Sequence, residues 1–199
     1  MQQKKMRRRN CIEEVAFKLF CEKGIKQTSI DDIVREADIA KGTFYLYFKN
    51  KNQLIDQLVL REATNVLKRS IAKSKDRQRK QDSFENQMID IVDLIINYFQ
   101  ENPQFLEFIH KNLYRSMFSP ETRAPIIELI KTSLDLTDDS NNDLLQKKLY
   151  LILELVGSVI YNAIILKEPY KIDEIKPTLY QTVEFIIIMK EGNNIETNS

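Results

Sequence analysis

Residues 28–48 read TSIDDIVREADIAKGTFYLYF, and the way this stretch divides decides the fold. Ser29 is a residue type that caps helix N-termini, and Asp32 stands three positions on, close to the spacing of a capping box. Ile30, Ile33, Val34 and Ala37 then recur as the inner face of a short helix. Asp38-Ile39 breaks the pattern, and Ala40-Lys41-Gly42 opens a second brief helix. Two short helices flank a tight turn, which is the plan of a helix-turn-helix over 29–48.

The flanking sequence supports that division. Upstream, Ile12, Val15, Ala16, Leu19 and Phe20 fall on one helical face, and Gly24 ends the run. Downstream, Asn50 is a good N-cap with Gln53 at the third helical position, opening a long helix that reads to about Ile71. The segment KSKDRQRKQD is too polar to bury anything and reads as a solvated helix end and linker. Phe84, Met88, Ile91, Val92, Ile95 and Phe99 mark a further amphipathic helix stopped by Asn102-Pro103. The apolar run 105–118 ends before Ser119-Pro120, and Pro125 fits the first turn of a helix to about Leu136. TDDSNND is a loop, 149–166 is apolar on almost every side, and a last helix carries Leu179, Val183, Ile186, Ile187 and Met189.

With four glycines and five prolines in 199 residues, and 43% hydrophobic composition, the chain reads as soluble and all-α. Its net charge of +1 is unevenly spread. Residues 1–51 carry 12 Lys and Arg against 7 Asp and Glu, or +5, and the remaining −4 completes the total. A basic segment on a mildly acidic body fits one region that meets a polyanion, nucleic acid or anionic lipid. Cys11 and Cys21 would stand about 15 Å apart along one helix, too far to pair. No apolar h-region follows MQQKKMRRRN, so reduced thiols in a cytoplasmic protein are expected.

A helix meeting the major groove needs small residues at its leading end, which Gly42 and Thr43 supply. Lys51 falls in the first turn of the next helix, where free N–H groups and the dipole favour a phosphate. Phe44 and Phe48, four apart, point together into the small core, whereas Tyr45 and Tyr47 project to either side. Spacing alone leaves open that all four aromatics simply pack.

Residues 11–54 resemble the N-terminal domain of the TetR family of transcriptional regulators. The pattern is carried by Ala16, Leu19, Phe20, Gly24, Thr28, Ser29, Ile33, Ala37, Lys41, Gly42, Thr43, Phe44, Tyr45, Tyr47, Phe48, Asn50, Lys51 and Leu54. The resemblance implies a three-helix DNA-binding domain over 1–54 and an effector-binding and dimerisation domain over 55–199. It implies DNA contacts from Thr28, Ser29, Lys41, Gly42, Thr43, Tyr45, Tyr47 and Lys51, with Lys41, Gly42 and Thr43 nearest the bases. The basic arm of Lys4, Lys5, Arg7, Arg8 and Arg9 either adds backbone or minor-groove contacts or is a solvated tail.

Two residues depart from the family pattern. Asp38 stands where glycine is usual in the turn, and Ala40 where a serine normally caps the recognition helix. Aspartate tolerates left-handed backbone, so the turn is expected to survive, while the lost cap costs about 1 kcal/mol of local helix stability. Leu46 is individual to this chain and meets either a thymine methyl or a neighbouring side chain.

The helix over 149–166 contains Glu154 and Asn162, which argues for burial in protein over a membrane span. The resemblance implies a four-helix bundle there with a second copy, which Gly157 and Ser158 would let approach closely, and two recognition helices reading a palindromic operator. It also implies an effector cavity among the middle helices, with a small, largely apolar ligand. The candidate lining residues are Phe84, Met88, Tyr98, Phe105, Phe108, His110, Tyr114, Met117, Phe118 and Tyr161, each of which equally suits plain core. No catalytic constellation, metal cluster or cofactor motif is visible. The expected function is a ligand-released repressor acting as a homodimer; a helical adaptor of the same fold acting through a protein partner is the alternative.

Overall fold

The computed structural model describes residues 2–77, 83–117, 120–134, 136 and 142–189, and the described residues form helices with no strand. In chain order they are α1 (Gln2–Lys23), α2 (Ile30–Glu36), α3 (Lys41–Tyr45), α4 (Lys51–Arg77), α5 (Phe84–Glu101), α6 (Pro103–Met117), α7 (Pro120–Ser133), α8 (Asn142–Tyr161) and α9 (Ile172–Ile188). A π-helical turn, Asn162–Leu166, follows α8. By contacts the chain divides into two units, Met1–Ala63 with Gln104–Thr122, and Thr64–Pro103 with Arg123–Ser199.

In the first unit, Ile12, Ala16, Leu19 and Phe20 of α1, Ile33 and Val34 of α2, Phe44 and Phe48, and Leu54, Ile55, Leu58 and Val59 of α4 are buried. These are the apolar faces that the periodicity predicts. Gly24 closes α1 in the left-handed region, with φ 82°, and donates its N–H to the Phe20 carbonyl. The first unit also takes in most of α6. Phe17 meets Phe105 and Phe108 edge-on, with ring centroids 5.3 and 5.4 Å apart, and Phe20 stacks on Phe108 at 6.1 Å. A buried charge fastens α1 to α4: Glu13, 5% exposed, accepts from Arg9 at 2.9 Å and Arg61 at 2.6 Å. Such an acid is stable only because both guanidiniums reach it.

In the second unit, α5 and α9 are joined through Asp93. It accepts from the Tyr180 hydroxyl at 2.5 Å and the Asn97 amide at 2.9 Å, and pairs with Lys176 at 2.6 Å. Lys148 of α8 donates to the Ile187 carbonyl of α9 at 2.7 Å. Toward solvent, α8 and α9 leave apolar side chains uncovered, including Leu151, Phe185 and Ile188. The helical stretch Asp143–Leu166 is long and apolar enough to cross a membrane by length and composition, and only 28% of its most apolar window is buried within the subunit.

Several boundaries differ from expectation. The first helix begins at Gln2, ahead of the apolar face that opens at Ile12, so the basic arm Lys4 to Arg9 is helical. Lysine, arginine and glutamine are good helix formers, and no breaker separates them from Ile12. The long fourth helix reaches Arg77, so half of the expected linker is helix. Pro125 and Pro177 each lie inside a helix, at the sixth position of α7 and α9, because Pro120 and Ile172 begin those helices earlier.

Candidate nucleic-acid interface

The helix-turn-helix is built by local bonds. Ser29 caps α2: its Oγ accepts from the Asp32 N–H at 3.0 Å, and the Asp32 carboxylate accepts from the Ser29 N–H at 2.9 Å and hydroxyl at 2.6 Å. Those two donors, with Arg35 beside them, hold the Asp32 carboxyl down at about 2, from an ordinary value of 3.8. A depressed acid contributes stability that is present above its ordinary value and lost as the pH falls through its folded value. Asp32→Asn is therefore expected to flatten the acid loss of stability between about pH 4 and 2, a modest effect at so exposed a site, read by thermal melting across that range.

The turn closes through a Schellman arrangement at the end of α2. Ile39 donates to the Val34 carbonyl at 3.0 Å and Asp38 to the Arg35 carbonyl at 3.3 Å. Asp38 sits at φ 49°, in the left-handed conformation normally given to glycine, as the departure at this position requires. Ala40 occupies the N-cap of α3 and makes no side-chain cap bond. The next helix is better capped, since the Asn50 side chain accepts from the Gln53 N–H at 2.9 Å and Gln53 in turn accepts from the Lys49 N–H at 2.6 Å.

Helix α3 has a sealed side and an open side. Phe44 and Phe48 are fully buried with ring centroids 5.5 Å apart. Tyr45 is 50% exposed and Leu46 is 76% exposed. Tyr47 is half-buried and Thr43 likewise, while Lys41 and Gly42 face solvent. A Cβ added at Gly42 would meet nothing within 4 Å, so the subunit itself does not require glycine there. Lys41 pairs with Asp31 of α2 at 2.8 Å, a contact that raises the pKa of its ammonium.

Two of the expected phosphate contacts also have structural work. Thr28 is 1% exposed, and its hydroxyl is within donor distance of the Gly24 carbonyl at 2.9 Å and the Leu19 carbonyl at 3.3 Å. Its side chain is a buried brace at the end of α1. Thr28→Val, which keeps the shape and removes the donor, is expected to lower stability by about 1–3 kcal/mol in thermal unfolding. Lys51 donates to the carbonyls of Ile25 at 2.8 Å and Thr28 at 2.9 Å, tying the loop before α2 to the start of α4. An ammonium has three donors, so one remains for a phosphate.

Of the basic segment, Arg9 is drawn inward by Glu13, by Gln57 at 2.7 Å and by the Phe48 ring, 5.8 Å from the ring centroid. Lys4, Arg7 and Arg8 line a shallow depression of about 330 Å³ with Cys11 and the turn residues Ala37, Asp38 and Ile39. The helix-turn-helix and these cations thus share the first unit. Cys21 is half-buried, and burial, with Glu62 and Glu22 adding, pushes its thiol up to about 11. It stays protonated near neutrality.

The effector candidates are divided between the two units. Phe105 and Phe108 belong to the core of the first unit, packed on α1, and His110, whose imidazole is lowered by burial, lies beyond them on the same helix. Phe84, Met88, Tyr98 and Tyr161 lie in the second unit. Tyr114 and Met117 lie on α6 where side chains fall outside the described residues, and Phe118 falls outside them altogether. Among the described residues no group of three His, Cys, Asp or Glu is placed to hold a metal ion.

A capped helix, a left-handed turn and a second helix with one buried and one open side define a helix-turn-helix DNA-binding protein. The model for bacterial regulatory proteins of the tetR family matches residues 12–58. A transcriptional regulator of Bacillus subtilis, YvdT, is 40% identical over 73 residues, 37% of this chain and 36% of its own, so that match spans about a third of the relative. A second from the same organism, YhgD, is 24% identical over 181 residues, 91% of this chain and 78% of its own. Among solved structures, the multidrug binding protein EbrR complexed with imidazole has the same fold at 15% identity, with a TM-score of 0.67 over 94% of this chain and 93% of its own. Residues 12–58 thus carry the DNA-binding domain of the TetR family of bacterial transcriptional regulators.

Proposed function

We propose that this regulator is a cytoplasmic homodimeric repressor that binds a roughly palindromic operator through residues 29–48 and leaves it when a small, largely apolar molecule occupies the second unit. The observation that carries the reading is the two-sided α3. Phe44 and Phe48 fix the helix, while Lys41, Gly42, Tyr45 and Leu46 form a solvent-facing surface, with Lys41 held at its edge by Asp31. Selection from random duplexes at moderate salt tests it: enrichment of a sequence with two symmetric half-sites about one helical turn apart is expected, and enrichment of none would refute operator binding.

The dimer rests on α8 and α9. Leu151, Phe185 and Ile188 are exposed, and a Cβ added at Gly157 would meet nothing within 4 Å, leaving room for a second backbone. Glu154 and Asn162 on the same stretch fit a protein partner better than hydrocarbon. Effector action requires that the ligand bind the released arrangement of the two recognition helices more tightly than the DNA-bound one, by the whole of the shift it produces. That EbrR is a multidrug binding protein supports a small-molecule ligand, and Phe84, Met88, Tyr98 and Tyr161 are the candidate contacts that lie in the second unit.

Lys51 gives a graded test of the interface. Lys51→Ala is expected to weaken binding to all sequences alike and to lower the slope of log affinity against log salt by about one unit per subunit. It also strips a charged donor from two loop carbonyls, at a cost of about 1–3 kcal/mol in stability. Thr28→Val shares the stability loss and keeps the salt slope, so binding isotherms at several salt concentrations separate the two residues.

A further inference from the structure

Leu46 is an oddity of the open side of α3. At 76% exposure it is more exposed than any other large apolar residue among those described. It is the C-cap of α3, and its N–H donates to the Thr43 carbonyl at 3.3 Å. Three and four residues after Thr43 and Gly42, it lies on the same helical stripe as those two and opposite the buried Phe44. At that exposure most of the side chain stands clear of the protein, so packing against a neighbour does not account for it. An isobutyl group held in water on a recognition helix gains free energy only when something apolar covers it.

In the major groove the base pairs offer one apolar group, the C5 methyl of thymine, which also distinguishes a T·A pair from the other three. We propose that Leu46 is a specificity-determining residue that packs on a thymine methyl in each operator half-site. Gly42 lets the backbone approach the bases, and Leu46, one turn further along the same stripe, reads a base beyond the one next to Gly42. The inference rests on the operator-binding reading above.

The test pairs a methyl deletion on DNA with a side-chain truncation on the protein. A duplex is first selected with the wild-type chain, and each thymine of one half-site is then replaced in turn by deoxyuridine, which removes the methyl alone. Wild type is expected to lose about fourfold in affinity at one thymine position, the worth of one buried methyl group. Leu46→Ala is expected to melt as wild type does, because the side chain is exposed, and to bind the thymine and deoxyuridine duplexes equally well at that position. A Leu46→Ala protein that loses as much as wild type on the same replacement would overturn the assignment alone. So would a wild-type chain indifferent to deoxyuridine at every thymine of the half-site. Failure to select any duplex would overturn the operator reading and this inference with it.

Discussion

Replacing Phe185 with aspartate is expected to convert the proposed dimer to folded monomers and to cut operator affinity by about 10²- to 10⁴-fold, the loss that follows when two linked half-site contacts become one. Phe185 is 62% exposed on α9, so the subunit core does not depend on it. A carboxylate at the centre of an apolar helix–helix contact would be desolvated without a partner. Sedimentation of the variant reads the association state, and circular dichroism reads the helix content that should persist. A Phe185→Asp protein that stays dimeric would move the interface away from this face of α9.

The second large effect concerns stability. Phe44 is 0% exposed, with Phe48 at 5.5 Å and Tyr45 edge-on, also at 5.5 Å. Phe44→Ala is expected to cost about 3–5 kcal/mol, the transfer term plus the cavity left in a three-helix core with little else to fill it. Against a total of about 5–15 kcal/mol for an ordinary domain, that is enough to melt much of the first unit at moderate temperature. Its readout is a lowered melting temperature with DNA binding lost in parallel. Tyr45→Phe on the neighbouring residue removes only an exposed hydroxyl and is expected to leave the melt unchanged.

The helix-turn-helix was legible because its signals are local. Ser29 and Asp32 cap one another within three residues, and Phe44 and Phe48 fall on one face by spacing alone. The tolerance of Asp38 for a left-handed backbone could likewise be read from its chemistry, and its φ of 49° agrees. The missing side-chain cap at Ala40 is equally a matter of residue type.

What the sequence hid was decided at long range. Lys51 reaches carbonyls 26 and 23 residues earlier, and Arg61 reaches Glu13 across 48 residues, contacts with no periodic signature. Thr28 matches the family pattern as a hydroxyl and says nothing there about being buried against the end of α1. Phe105 and Phe108 show the spacing of any core helix, and which core they join depends on how α6 meets α1. The charge of Lys4 to Arg9 masked their helix propensity, and a proline marks an early turn of a helix without saying which residue begins it.

The proposed function turns on sequence-specific recognition of DNA by α3. Its most direct measurement is the equilibrium affinity of the full chain for its selected duplex against a scrambled duplex of the same length and composition, at one moderate salt concentration. A preference of at least about 10³-fold for the selected duplex is the result expected of a specific regulator, and a ratio near one would contradict it.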